Sequence, residues 1–159
     1  MTDKAFLAPA LGRVTSGLFI LSTGSGDQVS AFLASWVQQA GFDPPAVTVA
    51  VQQDRAVLEE LRRNRHFCIS ILSPSSAQFL KHFAAGFEPG VDPFSGVEKR
   101  LSRNGVPYLA QAHAHLECEL LGDAGWSDHV IVCGEVIAGE CADLEEAPLT
   151  HVRRNGLSY

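Results

Sequence analysis

Most of the short motifs that announce a chemistry are missing from this 159-residue chain. There is no G-x-G-x-x-G, no Walker loop, no G-x-S-x-G and no H-E-x-x-H, so Rossmann, phosphoryl-transfer, serine-hydrolase and zincin chemistries lack their usual carriers. The four cysteines, Cys68, Cys118, Cys133 and Cys141, form no C-x-x-C pair. Three sit in strand-like apolar runs, where a thiol behaves as a small hydrophobe, so free thiols are expected rather than disulfides. Positive charge is scarce as well. Lys and Arg number 12 against 18 Asp and Glu, a net charge of −6, and phosphate backbones need clustered cations, so nucleic acid is excluded as a partner. No apolar run approaches a membrane span, and the stretch MTDKAFLAPALG lacks a signal-peptide layout; a cytoplasmic protein without membrane contact is expected.

What is present describes a globule. Apolar residues make up 46% and the mean hydropathy is +0.07, consistent with one domain over residues 1–159 that buries its own core. Strands are predicted at Gly17–Thr23, Val29–Ser35, Ala46–Val51, His66–Leu72, Ala112–Leu121, Asp128–Glu140 and Pro148–Arg153, from β-branched content and alternation. Turns are expected at 24–27 and at Gly122–Trp126. Helices are predicted over Lys4–Leu11, over Arg55–Asn64 with Asp54 as its cap, and from Ser73 to about Ala85. A long loop then runs from Gly86 to Gly105. With no βαβ rhythm, the pattern is mainly β: an antiparallel barrel with two or three peripheral helices.

One stretch stands out. Between two apolar strands lies Ala34-Ser35-Trp36-Val37-Gln38-Gln39, followed by Gly41 and then Phe42-Asp43-Pro44-Pro45. Small residues let backbone N–H groups approach a flat polar ring, and carboxamides read its carbonyl and nitrogen edges. A polar hairpin turn with one buried Trp accounts for the same residues. Arg55 beside a helix start makes an anion site, or is a solvated first-turn residue. His113, His115 and Glu117 share a strand face at a spacing that would admit a metal, but such a stripe is expected to be a solvent face or subunit contact, and no metal is assigned.

These segments, in this order, resemble the flavin reductase-like family of FMN-binding split barrels. The resemblance rests on the Ala34–Pro45 stretch, Arg55, Phe67–Leu72, Leu80-Lys81-His82-Phe83-Ala84, Asp92-Pro93-Phe94 and Asp128-His129. GFDPP and HFAAGFEPG agree especially well with the reductase domains at the C-termini of cyanobacterial flavodiiron proteins. The resemblance implies a Greek-key split barrel that binds FMN, with FAD as the alternative, at a homodimer interface. It implies that Ala34, Ser35, Trp36, Val37, Gln38 and Gln39 wrap the ring, and that Gln53 and Arg55 lie at the phosphate, where many relatives carry hydroxyls. His82 and Phe83 would stand at the mouth. His129, in a segment where the family often shows Gly-Asp-His, would position NAD(P)H, the hydride donor; electrons would pass to a small-molecule or protein acceptor. Two other functions fit the same resemblance: an electron carrier or FMN store with little NAD(P)H activity, and a split barrel that binds haem or has lost its flavin.

Overall fold

The computed structural model describes residues 3–159. In chain order the elements are α1 (Lys4–Leu11), β1 (Ser16–Gly17), β2 (Phe19–Ser25), β3 (Gln28–Ala34), β4 (Val37–Phe42), β5 (Pro45–Gln52), α2 (Val57–Asn64) and β6 (His66–Ile71). A 3-10 segment, Pro74–Phe79, leads into α3 (Leu80–Ala84). Then follow β7 (Lys99–Leu101), β8 (Pro107–Leu109), β9 (Ala114–Gly125), β10 (His129–Cys141) and β11 (Thr150–His151). Strand content of 44% against 17% helix puts the protein in the mainly β class.

Seven strands form one antiparallel sheet in the order β3-β2-β6-β9-β10-β5-β4. Its two edges, β3 and β4, are consecutive in the chain and separated only by Ser35 and Trp36. Three residue steps reach about 10 Å at full extension, so the sheet has to curl until its edges nearly meet. The result is a barrel that is split between β3 and β4, with the chain itself crossing the split.

Inside the barrel, Leu21, Val49, Phe67, Ile69, Leu120 and Val132 are buried together with Val57, Leu58 and Leu61 of α2. These three follow the helical repeat, and that apolar stripe is why α2 packs onto the barrel. A second core, built from Ile20, Leu72, Phe83, Phe94 and Leu109, lies under the 3-10 segment and α3. At Gly134 the strand passes Phe67 so closely that a Cβ would lie 2.5 Å from the ring.

Several boundaries differ from the sequence expectation. The segment after Trp36 is an edge strand, β4, rather than a turn, paired to β5 with a bulge between Gln39 and Gly41. The turn 53–54 and the bond from Arg55 N to Gln52 O delay α2 to Val57; its N-cap is Ala56, with no side-chain cap, so Asp54 does not cap it. Gly122–Trp126 is not a turn, because β9 continues to Gly125 opposite Val130. The register shift at Cys133/Gly134 leaves Leu121 unpaired, and that bulge breaks the alternation expected to end the strand. Part of the long loop is ordered as β7, which pairs with β8.

His113 and His115 do not lie on a solvent face. Tyr108 of β8 stacks on His115 at 3.9 Å, and Arg103 reaches Glu117 at 3.4 Å, so the β7–β8 hairpin covers that stretch. His113 is buried, its Nδ1 3.6 Å from Glu146. Among the described residues no group of three potential ligands forms a metal cluster, and no helix is long and apolar enough to cross a membrane.

Candidate active site at the split of the barrel

A cavity of about 370 Å³ opens where the ladder is interrupted. Ser35 and Trp36 belong to no strand; the Trp36 carbonyl accepts from Ala50 N at 3.0 Å. Neither the Ser35 nor the Trp36 N–H donates to a backbone carbonyl among the described residues. Backbone donors left over at a lined cavity are groups that a ligand can satisfy. Phe32 and Ala34 of β3 supply one wall, and Ala50 and Gln52 of β5 the other. The Arg55 guanidinium lies over the Phe32 ring, with Cζ 4.6 Å from the centroid, and places a fixed cation at one end. Arg55 and Phe32 also border a second hollow of about 520 Å³, between α2 and the Gly86–Pro93 loop.

The other end is aromatic. The Trp36 indole is 4.8 Å from the His129 ring and 5.5 Å from Tyr159, and Arg153 sits 5.0 Å over it. His129 Nδ1 is 2.8 Å from Asp128 Oδ1 and its Nε2 is 2.5 Å from the Tyr159 hydroxyl. The hydrogen bond from His129 holds the Asp128 carboxyl below the ordinary carboxylate range. Ionised, that carboxylate only accepts, so Nδ1 carries the proton; when the ring holds no second proton, Nε2 accepts from the Tyr159 hydroxyl. Burial pushes the Tyr159 phenol up, partly offset by the positive charges of Arg55 and Arg153.

Of the residues singled out from the sequence, Ala34, Ser35, Trp36 and Arg55 line this one cavity, and His129 packs on Trp36. Val37, Gln38 and Gln39 do not line it; they border apolar hollows along β4. Gln53 is exposed, and its backbone N–H donates to Asp128 O, while the neighbouring Gln52 lines the cavity. Neither His82 nor Phe83 lines it: His82 Nε2 donates to Pro93 O at 2.7 Å, and Phe83 is 1% exposed in the second core. Ala84 of the same helix lines the cavity instead. Sequence reasoning missed Phe32, Gln52, His151 and Tyr159. The tail that carries Tyr159 forms no strand after His151, so no periodicity pointed to it.

A curled antiparallel sheet, open between its two edges and crossed there by Ser35 and Trp36, defines a split barrel. The chain belongs to the flavin reductase-like family: the model described as "Flavin reductase like domain" matches residues 11–156. It is 42% identical over 154 residues to the Synechocystis sp. protein called Diflavin flavoprotein A 1, covering 96% of this chain and 27% of that protein. The chain thus spans about a quarter of the length of the curated relatives it matches. Among solved structures, the NADH:FAD oxidoreductase of Streptomyces globisporus superposes with a TM-score of 0.85 at 27% identity, over 95% of this chain and 90% of that one. The flavin reductase component of a bacterial two-component tryptophan halogenase matches with a TM-score of 0.82 over 94% of this chain and 93% of that one. At 24% identity it supports the fold alone.

Proposed function

We propose that the chain is an NAD(P)H-dependent flavin oxidoreductase that holds FMN in the cavity at the split, with FAD as the alternative. The observation that carries this reading is that Ser35 and Trp36, whose N–H groups donate to no backbone carbonyl among the described residues, line one cavity together with Arg55, Phe32 and Tyr159. The size of the cavity, about 370 Å³, and its lining of apolar side chains with backbone donors and a cation fit the group. Flavin held there would supply the redox chemistry of hydride transfer. The backbone donors of Ser35 and Trp36 would hold a carbonyl edge of the ring and stabilise negative charge there, with little reorganisation because the barrel fixes them. Arg55 would pair with the phosphate. His129, oriented by Asp128, offers Nε2 to the nicotinamide carboxamide and so sets the approach of the donor. Hydride transfer asks for no general acid at the donor carbon, so His129 positions rather than protonates.

The hollow beyond Arg55 leaves room for the remainder of FAD, and a neighbour solved with NAD and FAD fragments supports a dinucleotide at this type of site. Half-buried Phe19 of β2, Val37 of β4, Ile71 of β6, Leu116 of β9 and Val136 of β10 border one apolar hollow, suited to a second copy of the chain. The acceptor is a small molecule or a protein. A second reading, an electron-carrying module within a larger flavoprotein, is favoured by the quarter-length match to the diflavin relatives. Anaerobic mixing of the FMN-loaded protein with NADH or NADPH separates the two. Rapid bleaching of the flavin absorbance is expected; flavin that stays oxidised while bound would assign the chain to the carrier role.

A further inference from the structure

His129 Nε2 already has a donor. In the ring's neutral form, with Nδ1–H committed to Asp128, a single lone pair remains on Nε2, and the Tyr159 hydroxyl stands on it at 2.5 Å. We propose that Tyr159 is a positioning residue whose hydroxyl competes with the nicotinamide carboxamide for Nε2, so that the dinucleotide seats only as Tyr159 swings away. The inference rests on the hydride-donor reading above.

The tail is built for such a movement. Gly156 N donates to Ala8 O at 2.7 Å, and Arg153 N to Gly12 O at 3.1 Å, so the backbone of the segment is pinned against α1 at these two residues. The pin is tight: a Cβ at Gly156 would lie 2.2 Å from Leu11 Cβ. Past Gly156 the chain forms no strand or helix and is held through side chains: Leu157 N donates to Asn155 Oδ1 at 2.9 Å and Arg153 Nη1 to Ser158 O at 3.2 Å. The side chain borders the cavity, yet the residue is 72% exposed, and its packing partner is the Trp36 face at 5.5 Å. Swinging out costs little apolar burial and exchanges one donor on Nε2 for another.

Tyr159→Phe deletes the hydroxyl and keeps the ring. In FMN-loaded protein, calorimetric titration with NAD+, which binds without reducing the flavin, is expected to show affinity about two- to tenfold higher in the variant, the scale of one neutral hydrogen bond. With NADH the gain should fall on KM rather than on kcat. The 15N resonance of His129 Nε2 should move toward that of an unbonded acceptor in Tyr159→Phe and return when NAD+ is added. Flavin affinity is measured alongside, so that altered loading is not mistaken for altered NAD+ binding. Unchanged or weaker NAD+ binding in Tyr159→Phe, with His129→Ala still weakening it, would overturn the competition and leave the role of His129 intact. Identical NAD+ affinity in wild type, Tyr159→Phe and His129→Ala would remove the His129 contact, and this inference with it.

Discussion

Asp128 is mostly exposed while His129 is nearly buried, so the carboxylate steers the imidazole from outside the site. If His129 positions the dinucleotide, His129→Ala should raise the KM for NAD(P)H and slow flavin reduction a few-fold to roughly tenfold, with FMN still bound. Asp128→Asn should cost less, and the double variant should match His129→Ala; steady-state and stopped-flow kinetics check both. Loss of the yellow colour in His129→Ala would place the residue in the flavin site or the fold instead. A second residue-scale test concerns packing. Gly134→Ala drives a methyl into the Phe67 ring at 2.5 Å and should destabilise the protein by about 1–3 kcal/mol in denaturant unfolding. Among the thiols, burial pushes Cys68 up to about 12 and Cys118 higher still, whereas Cys141 is exposed. Alkylation of the folded protein at neutral pH should therefore label Cys141 and spare Cys68 and Cys118.

At the scale of elements, α2 is fastened to β9 by Arg62, which binds Asp123 through two nitrogens at 2.8 and 3.0 Å and Glu59 at 2.6 Å. The hydrogen bond from Arg62 holds the Asp123 carboxyl below its ordinary value. A carboxylate depressed in the folded state contributes stability above its unfolded pKa of about 3.9, and loses it as pH falls through the folded value. Arg62→Ala should accordingly be less stable than wild type at neutral pH, and the two should converge as pH drops below about 4, read by thermal unfolding across pH. The strands that cross the core were legible in the sequence because their β-branched runs meet the physical demand of a buried pleated surface. The ends were not. Leu121 is set outside the pairing by a bulge, and β4, with Gln38, Gln39 and Ala40 all exposed, carries no apolar alternation to mark it as a strand. For the same reason His113 and His115 looked solvent-facing: Glu146 beside His113 and the β7–β8 hairpin over His115 both come from stretches without periodicity.

The whole molecule places its site where two sheet edges have to meet across Ser35 and Trp36, and that juxtaposition is tertiary. Sequence order gave Ala34, Ser35, Trp36 and Arg55 as a family pattern. Nothing in it set Tyr159 against His129, because 30 residues of chain and an irregular tail separate them. The apolar hollow bordered by Phe19, Val37 and Leu116 leads to the expectation of a homodimer, with light scattering at micromolar concentration reporting a mass near twice 17.1 kDa; a monomer that retains FMN would contradict it. The central claim is that flavin lies at the split with its phosphate on Arg55. It is tested most directly by titrating wild type and Arg55→Ala with FMN and with riboflavin, which lacks the phosphate. A charge-assisted pair contributes about 1.5–3 kcal/mol, so FMN affinity should fall about tenfold to a hundredfold in Arg55→Ala while riboflavin affinity barely moves. Equal losses for the two ligands, or none for either, would contradict the placement of the flavin.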